Sequence, residues 1–420
     1  MTTGGPEAAA VRAAAAVARE AYPRIVAALI RVTGDWSLAE DSAQEALAAA
    51  LDRWPVDGVP ANPGGWLMTV ARNRALDVLR RAAIERRKLR DVAVLALTAA
   101  TDQPPAADVV DDRLRLIFTC CHPALAIDAQ VALTLRVICA VPTPKIAQAF
   151  LVGESTMTRR LTRAKAKIAD ARIPYRVPGA ADLPQRLPGV LAVVYLLFTQ
   201  GYNADGEPAF ADESIRLARL LRQLMPDQPE VAALVALLLI QHSRRDARRD
   251  VHGELVTLDR QDRARWDHAA IGEALRILDG LDRLDGLDGP DHDGPYAWQA
   301  RIAACHAAAP GADKTDWPRI AACYDRLLIL QPTPVIALNR AVAHGYAHGP
   351  EAGLVLLAEA RAGGALDDYP LAIAVEADLT AKLGDRTRAA ELFRQAAACV
   401  QGDAERRALL RRAEEAALSA

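Results

Sequence analysis

The segment GESTMTRRLTRAKAKI, residues 153–168, gathers five Lys and Arg side chains and three threonines in a 420-residue chain of net charge −2. Guanidinium and ammonium groups at that density suit an anionic polymer, which they hold by neutralising phosphates. At about 100° per residue, Met157, Leu161, Ala164 and Ile168 fall on one apolar stripe. Thr156, Arg159, Arg160, Arg163 and Lys167 fall on the far side of the same helix. The spacing therefore predicts a helix over 155–169 with one core face and one cationic face. Ser155 or Thr156 is expected to cap it after the turn at Gly153.

Just upstream, TPKIAQAFLV predicts a shorter helix with Ile146, Ala149 and Phe150 apolar, joined by about four residues to the basic one. A turn-linked pair of this kind is a helix-turn-helix, whose second helix sets its N-terminal residues on base edges in the major groove and its arginines on phosphates. A second stretch, NPGGWLMTVARNRALDVLRR at 62–81, opens on a Pro-Gly-Gly loop signal and continues as a helix. Leu67, Ala71, Ala75 and Val78 share one face; Asn73, Arg74, Asp77, Arg80 and Arg81 share the other, alongside Trp66. An aromatic ring beside an Asn and several Arg suits opened single-stranded nucleic acid, which it would stack, hydrogen-bond and neutralise. The preceding helix, DWSLAEDSAQEALAAALDRWP at 35–55, carries Asp35, Glu40, Asp41, Glu45 and Asp52 against one Arg. Its charge disfavours DNA and suits either an ordinary solvated surface or a protein partner, for which Leu47, Leu51 and Trp54 would be the apolar anchors.

These motifs sit in a chain rich in Ala, Leu and Arg with only 5% aromatic residues, and apolar spacing near 3.6 runs almost throughout. An all-α protein of two or three domains is expected. A polar, Pro-containing stretch at 98–112 reads as a linker, and IPYRVPGAADLP at 173–184 as a second break. Beyond it ADLTAKLGDRTRAAELFRQA places Ala377, Leu383-Gly384-Asp385, Ala389, Phe393 and Ala396 at the spacing of a tetratricopeptide hairpin, and RIAACYDRLLILQPTP ends similarly through Tyr324 and Leu327. Residues 1–180 are basic and the remainder is acidic, so the front half suits an anionic partner that the back half would mimic or repel.

The apolar runs VLAVVYLLF and VAALVALLLI are about half the roughly 20 residues of a membrane span, and the Ala-rich N-terminus lacks the basic start and compact apolar core of an export signal. A cytoplasmic protein is expected. The cysteines, at 120, 121, 139, 305, 323 and 399, show no CxxC pair. Cys120, Cys121 and His122 are sequence neighbours that diverge by about 100° on a helix, so no metal or cofactor is expected. HGE at 252–254 lacks the PCxxC of a zinc deaminase, and no GxGxxG, P-loop, GxSxG or HExxH occurs, so no enzymatic activity is expected.

Taken in order and at these distances, AEDSAQEAL, WLMTVARNRALDVLRR and LTLRVICAVPTPKIAQAFLVGESTMTRRLTRAKAKI resemble the extracytoplasmic-function sigma factors of bacterial RNA polymerase. FTCCHPAL at 118–125, DVHGELVTLDRQDRARWDHAAI and GPYAWQARIAACHA look like the subgroup with a long C-terminal helical extension. The resemblance implies sigma region 2 at 10–90, a linker at 91–112, a region 4 helix-turn-helix at 113–172, and a large tetratricopeptide-like regulatory domain at 180–420. It further implies a protein that directs polymerase to promoters. Asp41, Gln44, Glu45 and Leu47 match the helix that binds the polymerase clamp, with Leu51 and Trp54 beside them. The expected minus-10 contacts are Trp66, Arg72, Asn73, Asp77, Arg80 and Arg81, of which Asn73 matches the residue that helps hold a flipped base. The expected minus-35 contacts are Ser155, Thr156, Thr158, Arg159, Arg160, Arg163, Lys165 and Lys167. Leu151 stands where the family turn often has Gly, and Thr158 where a basic residue is common. Implied partners are the RNA polymerase core, through the β′ clamp and the β flap, promoter DNA, and a protein or small-molecule regulator of the C-terminal domain. The other reading left open by the residues is a polymerase-independent helix-turn-helix regulator or a helical-repeat scaffold.

Overall fold

The computed structural model describes residues 21–86, 106–150, 152–202, 208–250, 256–285, 294–400 and 402–418. Every element among them is helical, and the chain divides into two compact units, Met1–Leu224 and Met225–Ala420. None of the described helices is long and apolar enough to cross a membrane.

In the first unit, helix α1 covers residues 21–33. Helix α2 spans Trp36–Asp57, capped by Asp35, whose Oδ1 accepts from the backbone N–H of Ser37 and Leu38. Its inward stripe is mostly alanine, Ala39, Ala43, Ala46 and Ala50, which lets the helix lie close to its neighbours. Helix α3, Pro63–Arg86, returns along α2 and buries Leu67, Ala71 and Ala75. The Asn62 carboxamide accepts from the Gly65 N–H at 3.0 Å and starts that helix.

Helix α4, Ala106–Cys120, begins inside the stretch expected to be linker, and Asp112 within it is buried; the rest of that expected linker, 91–105, lies outside the described residues. Helix α5, Ile127–Leu133, passes directly into a π turn at Thr134–Ile138, an extra-residue register break that aims Arg136 sideways. Helices α6, Thr143–Ala149, and α7, Glu154–Asp170, follow. The α7 cap differs from expectation. Gly153 is the cap residue, its carbonyl accepting from the N–H of Thr156 and Met157, while Ser155 and Thr156 already lie inside the first turn and cap nothing.

Helices α8, Leu183–Tyr202, and α9, Pro208–Leu224, complete the unit. Their hairpin packs on α4 and α5, where Arg186 donates to the Phe118 carbonyl at 2.8 Å and Arg216 to that of Ile138 at 3.4 Å. The first two helices beyond residue 180 therefore belong with α4 to α7 in the first unit rather than with the second unit.

The second unit begins with α10, Pro229–Ser243, an almost wholly apolar helix buried from Val231 to Ile240. Helices α11, His268–Asp285, and α12, Pro295–Ala308, flank it. Then come α13, Trp317–Leu330; α14, Pro334–His348; α15, Pro350–Arg361; α16, Pro370–Lys382; α17, Arg386–Cys399; and α18, Asp403–Leu418, each packed on the next. Proline at the first position opens α10, α12, α14, α15 and α16, where its missing N–H costs nothing. The LGD turn forms as its spacing predicts: Gly384 adopts φ +94, Asp385 caps α17, Ala377, Phe393 and Ala396 share one core, and Ala389 is buried.

Candidate nucleic-acid interface

Helix α7 is held by its apolar stripe: Met157, Leu161, Ala164 and Ile168 are all buried. Helix α6 seats Ile146 and Ala147 in the same core, and the turn between them is tied by Val152 N–H to the Ala147 carbonyl at 3.0 Å. Leu151 in that turn lies outside the described residues. The opposite side of α7 presents Ser155, Thr158, Arg159, Arg163 and Lys167 to solvent. Thr156 and Arg160 are half-buried at the edge of a cleft of about 350 Å³ between α5 and α7, lined also by Arg163, Lys167, Leu125 and Ala129. Arg160 is oriented by Asp128 at 3.3 Å and by the Phe150 ring, 5.5 Å from its guanidinium carbon. Backbone carbonyls hold two more side chains: Arg159 Nε donates to Ser155 and Thr162 Oγ1 to Thr158. Such a row of pre-oriented cations suits phosphate contacts along duplex DNA.

Lys165 does not join that row. It turns about the helix toward α2, where its ammonium lies 2.6 Å from Oε1 of Glu40, a carboxylate only 5% exposed. Arg136, from the π turn, approaches Oε2 of the same group at 3.6 Å.

On α3 the outward stripe is Thr69, Asn73, Asp77 and Arg80, with Arg81 beside it, all exposed, and Arg72 half-buried. Asp77 and Arg80 lie 3.7 Å apart. Trp66 stands at the head of the helix, edge-on to Trp54 with ring centroids 5.6 Å apart. On α2, Asp41, Gln44 and Glu45 are exposed and Leu47 is half-buried, while Glu45 also accepts from Arg74 of α3 at 3.0 Å. Leu51 is 45% exposed. Trp54 is 2% exposed and packs under Trp66, so it anchors the α2–α3 hairpin and offers no surface to a partner.

The thiols are structural. Cys120, Cys121 and Cys139 are buried, Cys121 sits 3.7 Å from the Thr134 hydroxyl, and burial pushes Cys121 and Cys139 up to about 12. Among the described residues no three His, Cys, Asp or Glu side chains gather at metal-binding distance; the HGE at 252–254 lies outside them.

Sequence reasoning missed Arg31, Glu40, Asp112, Arg136 and Tyr175, which tie α1 and α2 to the later helices. The one signal for them was a carboxylate at position 40 inside an otherwise alanine stripe, since a buried charge demands a partner.

Comparisons with known proteins fit this geometry. Sigma-70 region 2 matches residues 17–84, which take in α1, α2 and nearly all of α3, and a family of unknown function, DUF6596, matches residues 186–281. An uncharacterized protein of Rhizobium meliloti (strain 1021) is 42% identical over 346 residues, 80% of this chain and 80% of its own length. The P58(IPK) TPR domain aligns over 91% of this chain and 94% of its own at 13% identity, but a TM-score of 0.24 leaves it without weight. The chain thus belongs to one family with the uncharacterized Rhizobium protein, and it carries a sigma-70 region 2 domain at residues 17–84.

Proposed function

We propose that the protein is a sigma factor of the extracytoplasmic-function type, acting in the cytoplasm as the promoter-specificity subunit of RNA polymerase. The observation that carries this reading is the coupling, in one compact unit, of a region 2 hairpin with an open acidic face to a helix-turn-helix with an open cationic one. Asp41, Gln44, Glu45, Leu47 and Leu51 of α2 dock on the clamp of the polymerase. Trp66, Arg72, Asn73, Asp77, Arg80 and Arg81 of α3 receive melted minus-10 DNA. Ser155, Thr156, Thr158, Arg159, Arg160, Arg163 and Lys167 of α7 read the minus-35 duplex, with the flap of the polymerase behind the helix-turn-helix.

The second unit acts as a covalently attached regulator, responding to a protein or small molecule. Its helical hairpins and the net acidity of the chain beyond residue 180 support that role. Because α8 and α9 pack with the helix-turn-helix, the informative truncation ends at Leu224 rather than near residue 178. Reconstitution with core polymerase tests the whole reading: a complex that opens a cognate promoter supports it. A chain that binds duplex DNA unchanged by core, and never joins the enzyme, is a polymerase-independent regulator instead.

A further inference from the structure

Directly opposite the buried stripe of α7 lie Ser155, Arg159, Thr162 and Ala166, all exposed. The helix carries a further polar stripe. Thr156, Arg160, Arg163 and Lys167 recur at spacings of four, three and four, which sets them within about 60° of one another and about 80° round from that outward line. They face α5 across the cleft of about 350 Å³ rather than pointing straight into solvent.

The cleft has two kinds of wall. Its apolar side is Leu125, Ala126 and Ala129, at and just before the start of α5, with Ala164 of α7 between the cations; Leu125 and Ala164 are buried and Ala126 is exposed at the mouth. On its cationic side Arg160 is already engaged, 3.3 Å from Asp128 and against the Phe150 ring. Arg163 and Lys167 pair with no carboxylate among the described residues. Duplex DNA can meet the tips of these two cations, yet a phosphodiester carries no apolar group to cover Leu125 and Ala129. Asp128 repels a second negative charge inside the cleft. The complementary ligand therefore has one negative charge at one end and an apolar body at the other.

We propose, building on the reading of α7 as a DNA-binding helix, that this cleft binds a small organic acid, a monocarboxylate on an apolar body, and that the bound acid displaces duplex DNA from α7. Arg163 takes the carboxylate in a two-pronged pair and Lys167 supplies a second charge, while the body lies on Leu125, Ala129 and Ala164. Both cations are thereby withdrawn from phosphate, so acid and DNA compete for the same charges. The helix-turn-helix is in this way responsive to a small molecule in its own right, apart from anything the second unit does.

The test is a calorimetric titration of the full chain with the unbranched carboxylates from acetate to octanoate at fixed ionic strength. Each added methylene should strengthen binding about two- to fourfold until the cleft is full, the lower figure applying where its open side leaves the chain partly wet. Ala129→Phe fills the floor without changing a charge, and should abolish octanoate binding while leaving affinity for duplex DNA as it was. Ala126→Phe, at the exposed mouth, should do the same and guards against a misfolded Ala129→Phe. Saturating octanoate should weaken duplex binding at least tenfold against equal acetate, and should lower the salt slope by about 2 as two phosphate contacts are lost. Affinity that is flat from acetate to octanoate, octanoate binding retained by both Phe variants, or duplex binding indifferent to bound octanoate would overturn the proposal. A chain that binds no duplex at all refutes the reading of α7 instead, since the carboxylate series and the Phe variants still decide the cleft.

Discussion

Replacing Trp54 by Ala distinguishes a core side chain from a docking one. Trp54 is 2% exposed on α2 and meets Trp66 of α3 edge-on at 5.6 Å. Truncation of a fully buried Trp costs about 3–5 kcal/mol, to which a lost aromatic pair adds about 0.5–1.5 kcal/mol. The loss should fall on the α2–α3 hairpin. Leu51, three residues away and 45% exposed, should cost no more than about 1 kcal/mol when cut to Ala, since roughly half its area is already in water. On polymerase the two should differ in the opposite sense: Leu51→Ala weakens binding about tenfold at full hairpin stability, as an anchor at an interface does. Trp54→Phe discriminates further. The indole N–H has no acceptor among the described residues, so Phe keeps most of the packing and forfeits no hydrogen bond seen there. Amide exchange along α2 and α3 in the full chain reads hairpin stability, and a core-polymerase binding titration reads docking. A Trp54→Ala protein with undiminished protection in α2 and α3 but no affinity for polymerase would refute the core assignment.

Four further perturbations follow from the geometry. Arg163→Ala and Lys167→Ala should each lower the salt slope of promoter-DNA binding by about 1, whereas Lys165→Ala, facing Glu40, should leave it nearly unchanged. Gly353→Ala puts a methyl 2.8 Å from Gly345 Cα and 3.0 Å from the Ala341 carbonyl oxygen, forcing α14 and α15 apart and lowering thermal stability by about 1–3 kcal/mol. Gly280→Ala meets open space on α11 and should stabilise by up to about 1 kcal/mol, the opposite sign by the same melting assay. His306 is held neutral by burial, and then by Arg244 and Arg263, down to about 4 from its usual 6.5. The unfolded chain therefore takes up a proton first as pH falls from about 6.5 to about 4, so the second unit loses on the order of 2–3 kcal/mol across that window; His306→Gln should flatten the loss in pH-dependent melting.

What could be read in advance was local. Met157, Leu161, Ala164 and Ile168 recur at helical spacing, and that periodicity alone separates the buried face of α7 from its cationic one. The same arithmetic places Lys165 about 80° round from Met157, off the cationic row, so the family motif and the wheel pointed different ways at that position. The wheel matches where the side chain lies. Trp54 shows the converse weakness. An aromatic at the end of an acidic helix reads equally well as anchor or core, and only the return of α3 with Trp66 decides between them. The Glu40–Lys165 contact spans 125 residues, and no local pattern encodes a pairing of that range. Gly153 rather than Ser155 caps α7 because one residue of slip in the turn moves the helix start, a difference too small for residue preference to resolve. The assignment of α8 and α9 to the first unit likewise depends on Arg186 and Arg216 reaching carbonyls on α4 and the π turn, contacts that a Pro-rich break at 173–184 conceals.

The central claim is that α2, α3 and α7 act together on a promoter on behalf of polymerase. Run-off transcription with purified chain, core enzyme and genomic promoter fragments tests it most directly. The account predicts discrete start sites that require the chain, that vanish with Asn73→Ala or with Arg159 and Arg163 both changed to Ala, and that vanish with Asp41 and Glu45 reversed in charge while binding to isolated DNA persists. Transcription indifferent to the chain, or abolished by the α7 changes yet untouched by reversal at Asp41 and Glu45, would contradict it.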